Sequence, residues 1–300
     1  ILKSSESYFE RVNIHIIQCD EKIQRDVKVT TDEEFEKYME DVELCGFGGT
    51  DFRPVFEYVD GLIRRHEFQD LKGLIYFTDG QGTFPERMPD YQTACGCTDI
   101  LMHTMERYFT NGGNMEITDV IAEGLLKTVM KNAKILHHDP QNYEARAEIM
   151  WAGSLSHNNL TGCGNNGGDF ATHMLEHEVG GMFDVTNGAG LAAIWPHWAR
   201  YVYKHALPRF SRFALEVMNI EAQGDMEEIA LKGIEAMEEF YHSIGMPTNF
   251  KELGIYPTDE QLNDMAARCA WAAGGLQGSA KILFKKDMYE IYKIANSAGR

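Results

Sequence analysis

The chain has 300 residues, of which 44% are hydrophobic, and its 46 acidic and 28 basic residues give a formal net charge of −18. This length accommodates two domains with a sizeable core, whereas the acidic balance argues against nucleic acids and anionic membranes, because phosphate contacts need clustered Lys and Arg. The sequence has no run of about 18 apolar residues, no signal-peptide pattern and no C-x-x-C pair among its six cysteines, so we expect a cytoplasmic protein with reduced thiols.

Strand and helix signals alternate along residues 1–88. Residues 12–19 are mostly β-branched or apolar, and shorter apolar runs follow at 42–45 and 74–77. Between these runs, Pro54 suits the first turn of a helix that continues with apolar residues at helical spacing. Short buried strands that alternate with amphipathic helices predict an α/β segment with a parallel sheet.

Asp20, Thr50 and Asp79 each follow one of the predicted strands. Ligands gather at the carboxyl ends of parallel strands, and a hydroxyl with two carboxylates suits a hard cation such as magnesium. The same residue types also satisfy loop backbone in ordinary turns. The spacing leaves both interpretations open.

Four stretches of this segment carry a resemblance, and they cover residues 2–7, 15–20, 46–56 and 73–80. Together they resemble the von Willebrand A-like domain at the end of a family of predicted metallopeptidases. The resemblance implies a cation site made of an Asp-x-Ser-x-Ser loop, a Thr and an Asp, and Thr50 and Asp79 match the last two. The Asp-x-Ser-x-Ser loop and the His-Glu-x-x-His segment of the metallopeptidase part do not occur in this chain. We therefore expect an incomplete sheet and a vestigial cation site.

From about Pro89 the pattern changes, and helical periodicity predicts an all-α domain over residues 89–300. Prolines separate several of the apolar periodic segments. The predicted helices cover residues 98–110, 118–137, 142–157, 170–183, 189–205, 209–221, 226–244, 259–273 and 286–297.

Two pairs of potential metal ligands lie at helical spacing in this domain. Asp99 precedes His103 by four residues, and His173 precedes His177 by four, so each pair shares one helix face. Asp99, His103 and His173 form the best candidate set for Zn²⁺ or Fe²⁺ with open coordination positions, where a bound carbonyl is polarised. The alternative is that each imidazole is simply satisfied by hydrogen bonds.

The stretches that carry a second resemblance are residues 91–94, 98–109, 147–153, 169–178 and 188–192. They resemble the helical, metal-binding half of the iron-type alcohol dehydrogenases, specifically the NADPH-dependent butanol dehydrogenase branch, over about 210 residues. The resemblance implies a divalent metal (Fe or Zn), NADPH, a small-molecule alcohol or aldehyde as substrate, and a protein that could form a homodimer.

The resemblance also assigns ligands. The family uses an Asp and three His; Asp99, His103 and His173 match the first three ligands. His177 matches a His that lies beside the nicotinamide, which gives it a catalytic role. The fourth ligand falls at Asn187, whose amide oxygen is a weak ligand for iron or zinc. We therefore expect a metal site that binds its ion less tightly.

The segment in front of the helical domain differs from the family. These dehydrogenases bind NADPH through an N-terminal domain with a Gly-Gly-Gly-Ser loop, and residues 1–88 contain no such loop. Gly46-x-Gly48-Gly49 lacks the full Gly-x-Gly-x-x-Gly pattern. The two resemblances meet at residues 88–94, which indicates a chimera, natural or produced by sequence assembly. Without a hydride carrier held over the metal, we expect impaired activity.

Two other functions compete with this interpretation. The first is a non-catalytic metal-binding or interaction module of von Willebrand A type, with the helical domain as a passive partner. The second is a zinc peptidase, because His173 to His177 fit His-x-x-Glu-His, in which Glu176 would activate a zinc-bound water.

Overall fold

The structure is a computed structural model, and it describes residues 13–40, 45, 51–65, 67, 89–112, 115–165, 167–275 and 277–298. The chain divides into two compact units, Ile1–Arg87 and Met88–Arg300. Each unit is described by itself. Among the helices that the structure describes, none combines the length and apolarity needed to cross a bilayer.

The first unit contains a two-stranded sheet and two helices in its described part. The strands are β1 (Ile14–Cys19) and β2 (Ile23–Val29), and the helices are α1 (Asp32–Glu40) and α2 (Arg53–Arg64). Helix α2 has Pro54 in its first turn, as the sequence predicts, and it buries Val55, Val59 and Leu62 at helical spacing.

Strands β1 and β2 pair antiparallel, from Ile14 opposite Val29 to Cys19 opposite Ile23. The described sheet therefore differs from the parallel sheet that the sequence predicts. Only residues 20–22 connect the strands, and a parallel connection needs about a dozen residues or more. The predicted strand at 74–77, and residues 42–44 of the predicted strand at 42–45, lie outside the described residues.

One of the three candidate cation ligands of this unit, Asp20, lies within the described residues. Thr50 and Asp79 lie outside the described residues. Asp20 lies in the hairpin turn, where its carboxylate accepts hydrogen bonds from the Lys22 backbone N–H at 3.2 Å and the Gln24 side chain at 2.8 Å. Such bonds are typical of an Asp that stabilises a turn.

The described part of the second unit is helical, and each helix predicted there is present with slightly different ends. The largest difference is at the first helix, which begins at Asp90 and not at residue 98, because Ala94, Cys95 and Cys97 are buried in tertiary contacts. The helices are α3 (Asp90–Tyr108), α4 (Glu116–His138), α5 (Tyr143–His157), α6 (Ala171–Phe183), α7 (Asn187–Val202), α8 (Leu207–Glu216), α9 (Met226–Ser243), α10 (Asp259–Ala272) and α11 (Lys285–Ser297), with short 3₁₀ turns at Leu160–Gly162 and Tyr203–His205.

Helix α7 is the central element of this unit, since almost every residue from Gly188 to Ala199 is buried. A helix that is apolar on all sides belongs inside a core. It contacts α3, α6, α9 and α11. Gly188 permits the contact with α3, because a Cβ at this position would lie 2.1 Å from the carbonyl oxygen of Cys95. This packing fixes α3 and α6, the two helices that carry the predicted metal ligands, against one core helix.

Candidate metal centre

The start of α6 is held in place by Asp169. This buried carboxylate accepts backbone hydrogen bonds from Ala171 at 3.2 Å, Ser279 at 2.6 Å and Ala280 at 2.7 Å. Phe170, between Asp169 and the helix, adopts the left-handed conformation with φ 49°. A non-glycine residue in this region needs support from its surroundings. The anchored turn determines where the first turn of α6, with His173, meets α3.

Asp99, His103 and His173 come together between α3 and α6. One ligand atom from each of the three lies within 4.8 Å of the others. Oδ1 of Asp99 is 3.3 Å from Nε2 of His173 and 3.7 Å from Nε2 of His103. The rings of the two histidines have centroids 4.4 Å apart. The candidate set derived from i, i+4 spacing is thus a spatial cluster.

His157, the last residue of α5, adds a third imidazole that the sequence analysis missed. Its Nε2 lies 3.7 Å from Oδ2 of Asp99, and its ring centroid is 4.0 Å from that of His103. No local signal marks it, because it has no acid or histidine partner one helical turn away. Only the packing of α5 against α3 places it here.

Glu106 is the second residue that the sequence analysis missed. Its Oε2 lies 2.5 Å from Nδ1 of His173, and its Oε1 accepts the backbone N–H of His173 at 2.9 Å. Glu106 is 1% exposed. A signal was available, since a glutamate two turns after Asp99 on a mostly apolar helix is rarely buried without a partner.

The carboxylates give the cluster a field that favours positive charge. Burial alone would raise the pKa of Asp99, but the interactions with His157, His173 and His103 outweigh it and lower that pKa. Burial likewise opposes protonation of His173, yet Glu106 and Asp99 together raise its pKa to about 10. Burial and the charge of His173 lower the pKa of His103 to about 3, so this ring is neutral and offers a lone pair. A proton or a divalent ion would meet the same attractive field.

The residues fit a divalent transition metal. Two ligand atoms that are each about 2.1 Å from one tetrahedral ion lie about 3.4 Å apart, close to the 3.3 and 3.7 Å separations around Asp99. Nδ1 of His103 is buried and has no hydrogen-bond partner among the described residues. Imidazole and carboxylate suit zinc and iron alike, so the donors are compatible with both.

Asn187 and His177 occupy different places beside this cluster. Asn187, the first residue of α7, donates its amide N–H to Oε2 of Glu176 at 2.6 Å. Glu176 is buried, and burial raises its pKa to about 7 although Asn187 and His173 act in the opposite direction. The ring of His177 is 6.1 Å from that of His173, and burial, followed by the charge of His173, lowers its pKa. His177 is therefore a neutral imidazole one helical turn from the cluster.

Two family models match the chain. Residues 93–296 match the Fe-containing alcohol dehydrogenase family, C-terminal, and residues 3–99 match the VWA-like domain (DUF2201). The two matches overlap at residues 93–99, at the start of α3. Both resemblances recognised in the sequence are thus supported by a family model.

Known relatives agree with the first match. The chain is 33% identical to NADH-dependent butanol dehydrogenase A of Clostridium acetobutylicum over 256 residues, which is 85% of this chain and 60% of that protein. It is 33% identical to the NADPH-dependent aldehyde reductase YqhD of Escherichia coli over 168 residues, 56% of this chain and 43% of that protein. The crystal structure of NADH-dependent butanol dehydrogenase A from Thermotoga maritima has a TM-score of 0.65 and 34% identity, covering 69% of this chain and 53% of that chain.

These relatives are longer than the part that this chain matches. The chain spans between about two fifths and three fifths of the length of each. Their names include both NADH and NADPH. The family model covers more than half of the chain, including all the clustered residues on α3, α5 and α6. The chain therefore belongs to the Fe-containing alcohol dehydrogenase family.

Proposed function

We propose that residues 89–300 form the metal-binding half of an NAD(P)-linked alcohol or aldehyde oxidoreductase. The observation that carries this proposal is the convergence of Asp99, His103 and His173, whose ligand atoms lie within 4.8 Å of one another between α3 and α6. These residues would hold a divalent iron or zinc ion. The substrate class is a small aldehyde or primary alcohol, as in the names of the relatives.

A bound divalent ion polarises a carbonyl and makes an alcohol more acidic. The protein residues contribute positions and protonation states. Glu106 orients His173 through bonds to its ring and backbone. His177 keeps a neutral ring beside the cluster. In this position it would lie near the reacting carbon and exchange a proton with the oxygen bound to that carbon. Asn187 would be at most a weak contact, because the ligand atom it can offer is a neutral amide oxygen.

The sequence of this chain gives least support to the binding of a hydride donor. Residues 3–99 match a VWA-like domain, and this match is our reason to expect no dinucleotide-binding domain directly before the helical unit. We therefore expect the 300-residue chain to bind metal but to reduce aldehydes poorly with NADH or NADPH. The catalytic proposal concerns the helical unit, and the low activity concerns the chain as a whole.

The first experiment measures metal binding and then activity. The purified chain is loaded anaerobically with Fe²⁺ or Zn²⁺, and the bound metal is counted. We expect one ion per chain, and loss of that ion in Asp99→Asn, His103→Gln and His173→Gln. His138→Gln, which removes an exposed imidazole at the end of α4, serves as the matched control. Unchanged stoichiometry in all three variants would contradict the site.

The activity assay uses butanal with NADH and with NADPH. Reduction at a rate ordinary for enzymes, with turnover of about 1 s⁻¹ or more, would overturn our view that the chain lacks an effective hydride-donor site. Peptide cleavage by the metal-loaded chain is the parallel assay for a zinc peptidase, and its appearance would overturn the oxidoreductase proposal.

We also propose that the chain is a chimera joined near residues 88–94, since the two family matches meet at the start of α3. Long DNA reads across this junction test the origin of the fusion. One continuous reading frame in single molecules indicates a natural fusion, whereas reads that never span the junction indicate an assembly artefact.

A further inference from the structure

His157 has the local geometry of a metal-binding histidine. Its Nδ1 lies 2.9 Å from the backbone carbonyl oxygen of Gly153 and 2.8 Å from Oγ of Ser156. A carbonyl oxygen can only accept, so Nδ1 carries the hydrogen in this arrangement and Nε2 of the neutral ring carries the lone pair. Histidines that bind metals commonly use the second nitrogen in this way, to fix the tautomer and the orientation of the ring.

The distance between His157 and Asp99 is more typical of two ligands of one ion than of a direct hydrogen bond. Nitrogen–oxygen hydrogen bonds are usually about 2.7–3.2 Å long. Nε2 of His157 lies 3.7 Å from Oδ2 of Asp99, the same separation as between Nε2 of His103 and Oδ1 of Asp99. Both values are closer to the spacing of about 3.4 Å between two ligands of one tetrahedral ion.

The two oxygens of the Asp99 carboxylate face different rings. Oδ1 of Asp99 faces His103 and His173, whereas Oδ2 faces His157. Three imidazoles from α3, α5 and α6 thus surround one carboxylate. The amide N–H of Asn187 donates to Glu176 at 2.6 Å, and its remaining polar atom is a neutral amide oxygen, which is a weaker ligand than an imidazole nitrogen.

We propose that His157 is the fourth protein ligand of the divalent ion, so that the site is Asp99 with three imidazoles. The inference rests on the proposed function of the site, since it concerns the same ion. It replaces the expected weak contact from Asn187 with a full nitrogen ligand from another helix. It also predicts that this chain binds its metal with the affinity of a four-ligand site and not with that of a three-ligand site.

Cobalt provides a test that does not depend on activity. Co²⁺ is bound by the same donors as zinc and iron, and its visible d–d absorption changes when a nitrogen ligand is lost or replaced by water. The 300-residue chain is titrated with Co²⁺. The spectrum and the affinity, measured against a competing chelator, are compared between the wild type and His157→Gln. His138→Gln is the matched control, because it removes an imidazole from another helix terminus.

The expected result is a changed d–d spectrum and a Co²⁺ affinity that is lower by about 100-fold or more in His157→Gln, since loss of even a partner outside the ligand set costs about 10- to 100-fold. His138→Gln should keep the wild-type spectrum. An unchanged spectrum in His157→Gln overturns the proposal whatever the affinity, because a residue outside the ligand set can weaken binding without altering the ligands.

Folding and the parent proposal are controlled separately. The His157 side chain is 47% exposed, and circular dichroism with the thermal midpoint checks that the variant remains folded; His157→Asn is the second variant if Gln disturbs the end of α5. Wild-type protein that binds no Co²⁺ overturns both the proposed function and this inference. Wild-type protein that binds Co²⁺, with a spectrum that His157→Gln leaves unchanged, overturns the inference alone.

Discussion

Glu106 holds His173 through two separate hydrogen bonds, one to the ring and one to the backbone. Oε2 lies 2.5 Å from Nδ1, and Oε1 accepts the backbone N–H at 2.9 Å. The ring is thereby turned so that Nε2 faces Asp99 at 3.3 Å. A carboxylate that is hydrogen-bonded to the ring nitrogen not used for metal binding fixes the tautomer of a ligating histidine and makes the other nitrogen a more basic ligand.

Glu106→Gln should therefore weaken metal binding without removing a ligand. We expect the affinity for Zn²⁺ or Co²⁺ to fall by about 10- to 100-fold, with one ion still bound at saturation and the Co²⁺ spectrum nearly unchanged. Competition with a chelator measures the affinity. Glu148→Gln, an exposed glutamate on α5, is the control. Equal affinity in wild type and Glu106→Gln would show that the pair does not support the ligand.

Asn187→His tests whether positions 157 and 187 provide the same coordination position. We expect the substitution to raise the metal affinity of His157→Gln by about 10-fold or more, and to have a much smaller effect in the wild type, where His157 already binds. Groups that act on one site are non-additive in this way. Equal gains in both backgrounds would mean that the two positions are independent, and no gain in either would contradict the assignment of position 187 to the fourth ligand.

The residues that local sequence pattern could predict are those that share a helix face. Asp99 and His103 are one turn apart on α3, and this periodicity was sufficient to single them out. Glu106 shares the α3 face with Asp99, but its role depends on the hydrogen bonds to His173 on α6. His157 could not be identified from periodicity, because its role depends on how α5 packs on α3. Tertiary packing brings together side chains that have no fixed spacing in the chain.

The helices and strands also differ in whether local sequence pattern or tertiary contacts determine them. Helical periodicity was sufficient for the second unit, where every predicted helix is present. In the first unit, strand β2 was missed because its sequence, IQRDVKV, contains three charged residues. The strand is stabilised by pairing with β1 and by the contact between His15 and Asp26 at 2.8 Å. Neither contribution is local to residues 23–29.

Gly188→Ala should destabilise the second unit. The added Cβ would lie 2.1 Å from the carbonyl oxygen of Cys95, so α7 and α3 must move apart. Overpacking of this kind costs about 1–3 kcal/mol, and the thermal midpoint should fall. Gly124→Ala on α4 is the matched control: its Cβ would meet nothing within 4 Å, and the better helix propensity of Ala should stabilise by about 1 kcal/mol. A lower thermal midpoint in both variants would indicate that the close contact between position 188 and Cys95 is not the cause of the destabilisation.

Arg209 forms an ion pair with the buried Asp119 and thereby joins α8 to α4. The guanidinium donates to both carboxylate oxygens at 2.6 and 2.7 Å, and also to the carbonyl of Tyr108. Arg209→Met leaves Asp119 buried without its cation, so we expect a loss of about 3–5 kcal/mol in the free energy of unfolding, measured with denaturant. Arg268→Met breaks the exposed pair with Asp264 and should cost about 1 kcal/mol or less. Similar losses in the two variants would contradict a special role for burial.

His197 gives the second unit a defined response to pH. Burial lowers the pKa of His197, although the hydrogen bond to the Thr248 carbonyl at 2.9 Å opposes this effect. Below about pH 6.5, the ordinary pKa of histidine, the unfolded chain binds a proton that the folded ring does not. Its contribution to stability is therefore present above that pH and is lost as the pH falls towards the lowered pKa.

His197→Gln removes this titration while its amide N–H can still reach Thr248. We expect the thermal midpoint to fall less between about pH 7.5 and about pH 5.5 in His197→Gln than in the wild type, even though the variant is less stable at the higher pH. Differential scanning calorimetry at the two pH values measures both midpoints. His138→Gln, which removes an exposed imidazole, should behave like the wild type. If the thermal midpoints of His197→Gln and the wild type fall equally between the two pH values, protonation of His197 in the unfolded chain makes no measurable contribution to the pH dependence of stability. The acid sensitivity of this unit then comes from other groups.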